Sequence, residues 1–177
     1  MEQFDLKGRK ALVTGGARGI GASIAETLAR AGAQVMIGDV MADVGQETAA
    51  RLSTSTGAKV GFVPLDVTQD DAWASATAAT IKQLGGLDTL VNNAGIEITS
   101  LVVDVNGDDL RRMLDVNVVG TLLGMKHAFR AMRPGGPAGQ GGAVVNIASV
   151  AATIAFPAIA GYSATKSAVD RAPCWRP

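Results

Sequence analysis

Short apolar runs alternate with longer amphipathic stretches along this chain. Lys10 to Thr14, Ala33 to Asp39, Lys59 to Leu65, Leu87 to Val91 and Ala143 to Ala148 are each a few apolar residues bounded by charge, proline or glycine. Such runs are the pattern of strands buried on both faces of a parallel sheet. Helical spacing fills the gaps. Residues 22–31 place Ile24, Leu28 and Ala31 on one face, with Gly32 set to end the helix. Residues 42–55 form a second helix weakened by Gly45, and residues 69–84 a third, opened by a capping box of Thr68 and Asp71 and carrying a packing Trp73. The longest runs from Asp108 to Met132, with an apolar stripe of Leu110, Met113, Leu114, Val118, Leu122 and Met125. Residues 158–172 close the series, after a flexible glycine-rich connector from Pro134 to Gly142.

Strand and helix in strict alternation predict an α/β fold, a doubly wound parallel sheet of Rossmann-like type with five strands in the order 3-2-1-4-5. With 177 residues, 47% of them hydrophobic, the chain is large enough for one core. The expectation is a single dinucleotide-binding domain over 1–172 and an irregular tail over 173–177, whose prolines do not continue a helix. Basic and acidic side chains balance at 16 each, so no bulk field recruits nucleic acid or an anionic membrane, and a small molecule is the expected partner. Cys174 stands alone, the first residues have no basic leader or apolar core, and no apolar run approaches the ~20 residues of a membrane span. These features point to a cytoplasmic protein.

The first strand runs into Thr14-Gly15-Gly16-Ala17-Arg18-Gly19-Ile20-Gly21. Glycines between a strand and a helix permit a tight turn, a close backbone approach to a pyrophosphate and helix–strand packing, with the helix N-terminus facing the phosphates. Asp39 ends the second strand twenty positions after Gly19. A carboxylate there accepts from both ribose hydroxyls of NAD and repels the 2′-phosphate of NADP. Arg18 argues the other way, since a guanidinium pairs with that phosphate. NAD is the expected cofactor, NADP the lesser one. Asn92-Asn93-Ala94-Gly95 follows the fourth strand, with small residues where backbone meets cofactor and amides able to tie neighbouring strands. Asn117 is a polar residue within a helical stripe and requires a partner, such as loop backbone. His127, the only histidine, is expected on the outer face without a chemical task.

Tyr162 and Lys166 stand four apart in a helical segment and so share one face. A cation about 4 Å from a phenol contributes roughly 4 kcal/mol at an effective dielectric of about 20, enough to bring a group that titrates near ~10 towards neutrality. Such a tyrosine exchanges protons with an alcohol or carbonyl oxygen. The Ser149 hydroxyl, just past a strand end, is placed to hold that oxygen.

In order and spacing these motifs resemble the short-chain dehydrogenase/reductase family over residues 8–170. The resemblance implies hydride transfer between NAD(H) and a secondary alcohol or ketone, with Tyr162 as acid/base, Lys166 holding the ribose and tuning the tyrosine, Ser149 orienting the oxygen, and Asn117 completing a relay through a water to Lys166. It implies cofactor contacts from Gly15, Arg18, Gly19, Ile20, Gly21, Asp39, Asn93, Ala94, Gly95, Tyr162 and Lys166, with Asp66 and Val67 against the adenine, and no metal. Family members continue through two more strands, an interface helix and a substrate loop. These are lacking here, so the resemblance implies a C-terminally truncated member, from an early stop or shifted frame, with part of the region that forms a homo-oligomer absent. The alternative function is a catalytically incompetent dinucleotide-binding fragment. Val150 to Phe156 suggests an apolar wall for substrate and nothing sharper.

Overall fold

The computed structural model of the protein describes residues 5–172, and both the tail expected at 173–177 and Cys174 lie outside them. Five parallel strands form one sheet in the order β3-β2-β1-β4-β5, as the alternation predicts. They are β1 Lys10–Thr14, β2 Gln34–Asp39, β3 Val60–Pro64, β4 Thr89–Asn92 and β5 Ala143–Asn146. The helices are α1 Gly19–Arg30, α2 Ala42–Thr56, α3 Asp70–Leu84, α4 Gly107–Leu114, α5 Gly120–Met132 and α6 Ala160–Arg171.

Because successive strand residues point to opposite faces, each strand feeds two cores. Leu12, Met36, Leu90 and Val144 pack with Trp73, Met125 and Met132, whereas Val13, Val35, Ile37 and Val91 pack with Ala25, Ala29, Ala49 and Leu52. Trp73 lies 1% exposed and donates its ring N–H to the Val67 carbonyl at 2.9 Å, so its single polar atom is satisfied where the ring is buried. Gly45 does not weaken α2 without reason. A Cβ at that position would lie 2.2 Å from the Phe62 ring, so the glycine lets α2 lie close on β3.

Several expectations about the helices are corrected. On α1, Ile24 and Leu28 pack half-buried against the core as expected, but the fully buried positions are Gly21, Ala22, Ala25 and Ala29. Small residues face the sheet because the helix crosses it closely. No capping box opens α3: the Thr68 hydroxyl donates to Asp66 Oδ1 at 2.8 Å, and Gln69 is the cap residue without a side-chain bond. The helix expected from Asp108 to Met132 is interrupted by a π-helical turn over Asp115–Val119. One extra residue in the turn slips the phase of the apolar stripe. Met113 and Met125 are buried, whereas Leu114 and Leu122 are 40% and 50% exposed. His127 Nε2 lies 2.7 Å from Asp70 Oδ1 at the surface of α5, and Lys126 reaches the same carboxylate. These partners, Lys126 first, hold the Asp70 carboxyl below its ordinary range.

Candidate functional site

The carboxyl ends of β1, β2, β3 and β4 open onto one cleft of about 800 Å³. Gly15, Arg18, Gly19, Ile20, Gly21, Asp39, Asp66, Val67, Asn93, Ala94 and Gly95, all expected at a cofactor, line it together. Its far wall was not legible in the sequence. Arg111, Arg112, Asp115 and Val116, from α4 and the π turn, border the same space because the interrupted helix swings over the strand ends.

Hydrogen bonds explain how the loops hold their shape. Thr14 Oγ1 accepts the backbone N–H groups of Asn93 and Ala94, both at 3.0 Å, and Asn93 Nδ2 donates to the carbonyls of Thr14 and Gly15 at 2.9 and 3.2 Å. The glycine loop and the Asn-Asn-Ala-Gly segment are thus one unit. Next to it, Asn92 Nδ2 donates to Asn146 Oδ1 at 2.9 Å and ties β4 to β5. Gly21 serves the packing of α1: a Cβ there would lie 2.2 Å from the Gly15 carbonyl. Asp39 is 9% exposed and accepts from the N–H groups of Ala17 and Met41, each at 3.0 Å, one on each carboxylate oxygen. Asp66 uses Oδ1 for the Thr68 N–H and hydroxyl, which turns the chain into α3.

The second half of the site is built on α6. Lys166 is 5% exposed; its Nζ donates to the Ile147 carbonyl at 2.7 Å and stands 5.8 Å from the centroid of the Tyr162 ring. Burial pushes the lysine amine below its ordinary pKa of 10.5. Ser149 accepts the Ala151 N–H at 3.1 Å, so its own O–H is left to donate. The short 3₁₀ turn that it caps, Val150–Ala152, is fastened to α6 by the Ser167 hydroxyl, which donates to the Ala152 carbonyl at 2.9 Å. Ser149 therefore rides on a segment clamped to the helix of Tyr162 and Lys166.

Asn117 is 1% exposed in the π turn, where Oδ1 accepts the Ile96 N–H at 2.8 Å and Nδ2 donates to the Ile96 carbonyl and to Thr165 Oγ1, both at 2.9 Å. Its direct partners are loop backbone and a side chain that the sequence reading passed over. Thr165 in turn donates to the Tyr162 carbonyl at 2.7 Å. A threonine between Tyr162 and Lys166, buried on the inner face of α6, was the available signal. Gly95 sits where a Cβ would lie 3.3 Å from Asn117 Oδ1 and 3.4 Å from Lys166 Nζ, so the absence of a side chain keeps those two groups close.

Among the described residues no group of three or more His, Cys, Asp or Glu side chains could hold a metal ion, and no helix is long and apolar enough to cross a membrane. A parallel sheet of this order, with a glycine loop, an acid ending β2 and a Tyr–Lys pair after β5, is a doubly wound fold of the nucleotide-binding class. A sequence model of the short chain dehydrogenase family matches residues 9–172, and the chain belongs to that family. It is 40% identical over 165 residues to trans-4-hydroxycyclohexanecarboxylate dehydrogenase of Sinomonas cyclohexanicum, covering 90% of this chain and 62% of that protein. It is 38% identical over 164 residues to 3-alpha-(or 20-beta)-hydroxysteroid dehydrogenase of Mycobacterium tuberculosis, covering 93% and 60%. A crystal structure of a short-chain type dehydrogenase/reductase from Mycobacterium marinum superposes with a TM-score of 0.89 at 34% identity, over 95% of this chain and 67% of that one. The chain spans 60 to 64% of the length of the curated relatives it matches.

Proposed function

We propose that this chain binds NAD(H) in the cleft and supports hydride transfer to or from a carbon bearing a secondary alcohol or ketone. The observation that carries the reading is the buried Lys166 amine beside the Tyr162 ring, next to Gly95, which lines the cleft that Asp39 also borders. The donor set fits a dinucleotide: the N-terminus of α1 for the phosphates, a fixed carboxylate for ribose hydroxyls, and Asp66 with Val67 for the adenine. The bound nicotinamide supplies the hydride acceptor or donor.

The protein's own part is to hold atoms and move a proton. Tyr162 gives its phenolic proton to the carbonyl oxygen in reduction and takes it back in oxidation. Lys166, held by Ile147 beside the Tyr162 ring, would hold the nicotinamide ribose. The Ser149 O–H donates to the substrate oxygen. Asn117 sets the loop at Ile96 and, through Thr165, the first turn of α6, and it serves the proton path to Lys166. Asp39 favours NAD over NADP because a 2′-phosphate would meet its carboxylate, while Arg18 at the exposed cleft edge is left to solvent or a phosphate. The relatives named for hydroxysteroids and for a hydroxycyclohexane carboxylate suggest a carbocyclic alcohol as substrate. Ile154 and Phe156, 54% and 43% exposed in the segment between the Ser149 turn and α6, are the apolar side chains we assign to such a ring.

A second reading, dinucleotide binding without turnover, is favoured by the lining of the cleft, which includes the glycine loop, Asp39 and Asp66 but not Ser149, Tyr162 or Lys166. Calorimetric titration with NAD and with NADP, followed by a panel of cyclic ketones assayed with NADH and NADPH on the same sample, tests both readings. Binding with turnover supports the first, binding alone the second, and absence of both defeats both.

A further inference from the structure

Thr48 lies on α2, away from every motif that marks the cleft. It is 8% exposed, and its hydroxyl donates to the Ala17 carbonyl in the middle of the glycine loop at 2.7 Å. Threonine in a helix ordinarily turns its hydroxyl back to the carbonyl four residues before it. Thr27, Thr54, Thr56, Thr80 and Thr121 all do so here. Thr48 instead reaches across to the loop. Ala17 itself is 1% exposed, and its N–H is taken by Asp39 Oδ2 at 3.0 Å. Both polar groups of that one residue are therefore fastened, one from the end of β2 and one from α2.

The consequence is directional. In a trans peptide the C=O and the next N–H point in opposite senses, so drawing the Ala17 carbonyl to α2 turns the Arg18 N–H away from it. Arg18 is the extended cap of α1, at φ −153° and ψ 177°, and Gly19 after it has φ 57°. The orientation of this peptide thus sets how the first turn of α1 presents its unpaired N–H groups to an anion. We propose that Thr48 is a positioning residue for the dinucleotide phosphates, acting through the Ala17 carbonyl. This role rests on the dinucleotide reading above.

The test compares Thr48→Val, which removes the donor, with Thr48→Ser, which keeps it. The readouts are NAD affinity by calorimetry, adenosine affinity, and amide hydrogen exchange over residues 15–21. Thr48→Val is expected to lose about tenfold in NAD affinity, the scale of one buried hydrogen bond, with adenosine affinity and Thr48→Ser both within about twofold of wild type. Exchange over 15–21 is expected to quicken in Thr48→Val alone. If the valine variant does not fold, Thr48→Ala is read the same way. NAD affinity equal to wild type in Thr48→Val, a serine variant as weak as the valine one, or unchanged exchange overturns the proposal. A wild-type chain that binds no NAD sinks the dinucleotide reading and this role with it, whereas wild-type binding matched by Thr48→Val sinks this role alone.

Discussion

The Lys166 amine stands 5.8 Å from the centre of the Tyr162 ring while donating to the Ile147 carbonyl at 2.7 Å. The two side chains share one face of α6, and the end of β5 fixes the cation in place. Removing the phenol while keeping the ring isolates its chemistry. Tyr162→Phe is expected to abolish ketone reduction while NAD affinity stays within about a few fold, since the ring's packing survives and the proton donor does not. Turnover that persists in the phenylalanine variant refutes the assigned role.

Burial of Lys166 also makes a statement about stability. Its folded-state pKa lies below 10.5, so between that lowered value and 10.5 the unfolded chain binds more protons than the folded one. Stability therefore rises with pH through this window and falls as pH drops back through the folded pKa. Urea unfolding midpoints followed from neutral to alkaline pH are expected to show this rise in wild type and to lose it in Lys166→Met.

Asp39 carries two tasks, fastening the backbone at Ala17 and Met41 and facing the cleft. Asp39→Ala is expected to shift the NADPH-to-NADH preference by about tenfold towards NADPH, about 1.4 kcal/mol. It is also expected to cost about 1 to 3 kcal/mol of stability, because two N–H groups lose their acceptor. The ratio of kcat/KM values and a denaturation curve separate the two effects.

Asn117 makes three hydrogen bonds from a site 1% exposed. Asn117→Ala leaves the Ile96 N–H and carbonyl without partners and is expected to destabilise the fold by about 2 kcal/mol or more. Thr165→Val removes the acceptor of Asn117 Nδ2 and the donor to the Tyr162 carbonyl but leaves both Ile96 bonds in place, and is expected to lower kcat more than stability. Equal losses of both quantities in the two variants would argue against a linkage from Asn117 to the tyrosine.

The strand order was legible because five apolar runs separated by helical stretches permit few right-handed parallel arrangements, and the cleft followed because their carboxyl ends open on one side. Gly15 to Gly21, Asp39 and Asn93 to Gly95 were legible for the same reason: each ends or directly follows a strand, so local sequence already places it at the cleft. The pairing of Tyr162 with Lys166 needed only the spacing of a single helix. The π turn at Asp115–Val119 was not legible, since helical periodicity continues smoothly through it in the sequence, while its Asn117 bonds to Ile96 and Thr165, on distant segments.

By itself the sequence determined what local periodicity and strand-end position can encode: the sheet, its order, the glycine loop and the face shared by the Tyr–Lys pair. The tertiary structure alone decided which polar groups meet across distant segments, such as Thr14 with Asn93, Thr48 with Ala17 and Asn117 with Thr165. A hydroxyl or amide has the same short-range pattern whether it turns back on its own helix or reaches another element. Packing around it selects the partner.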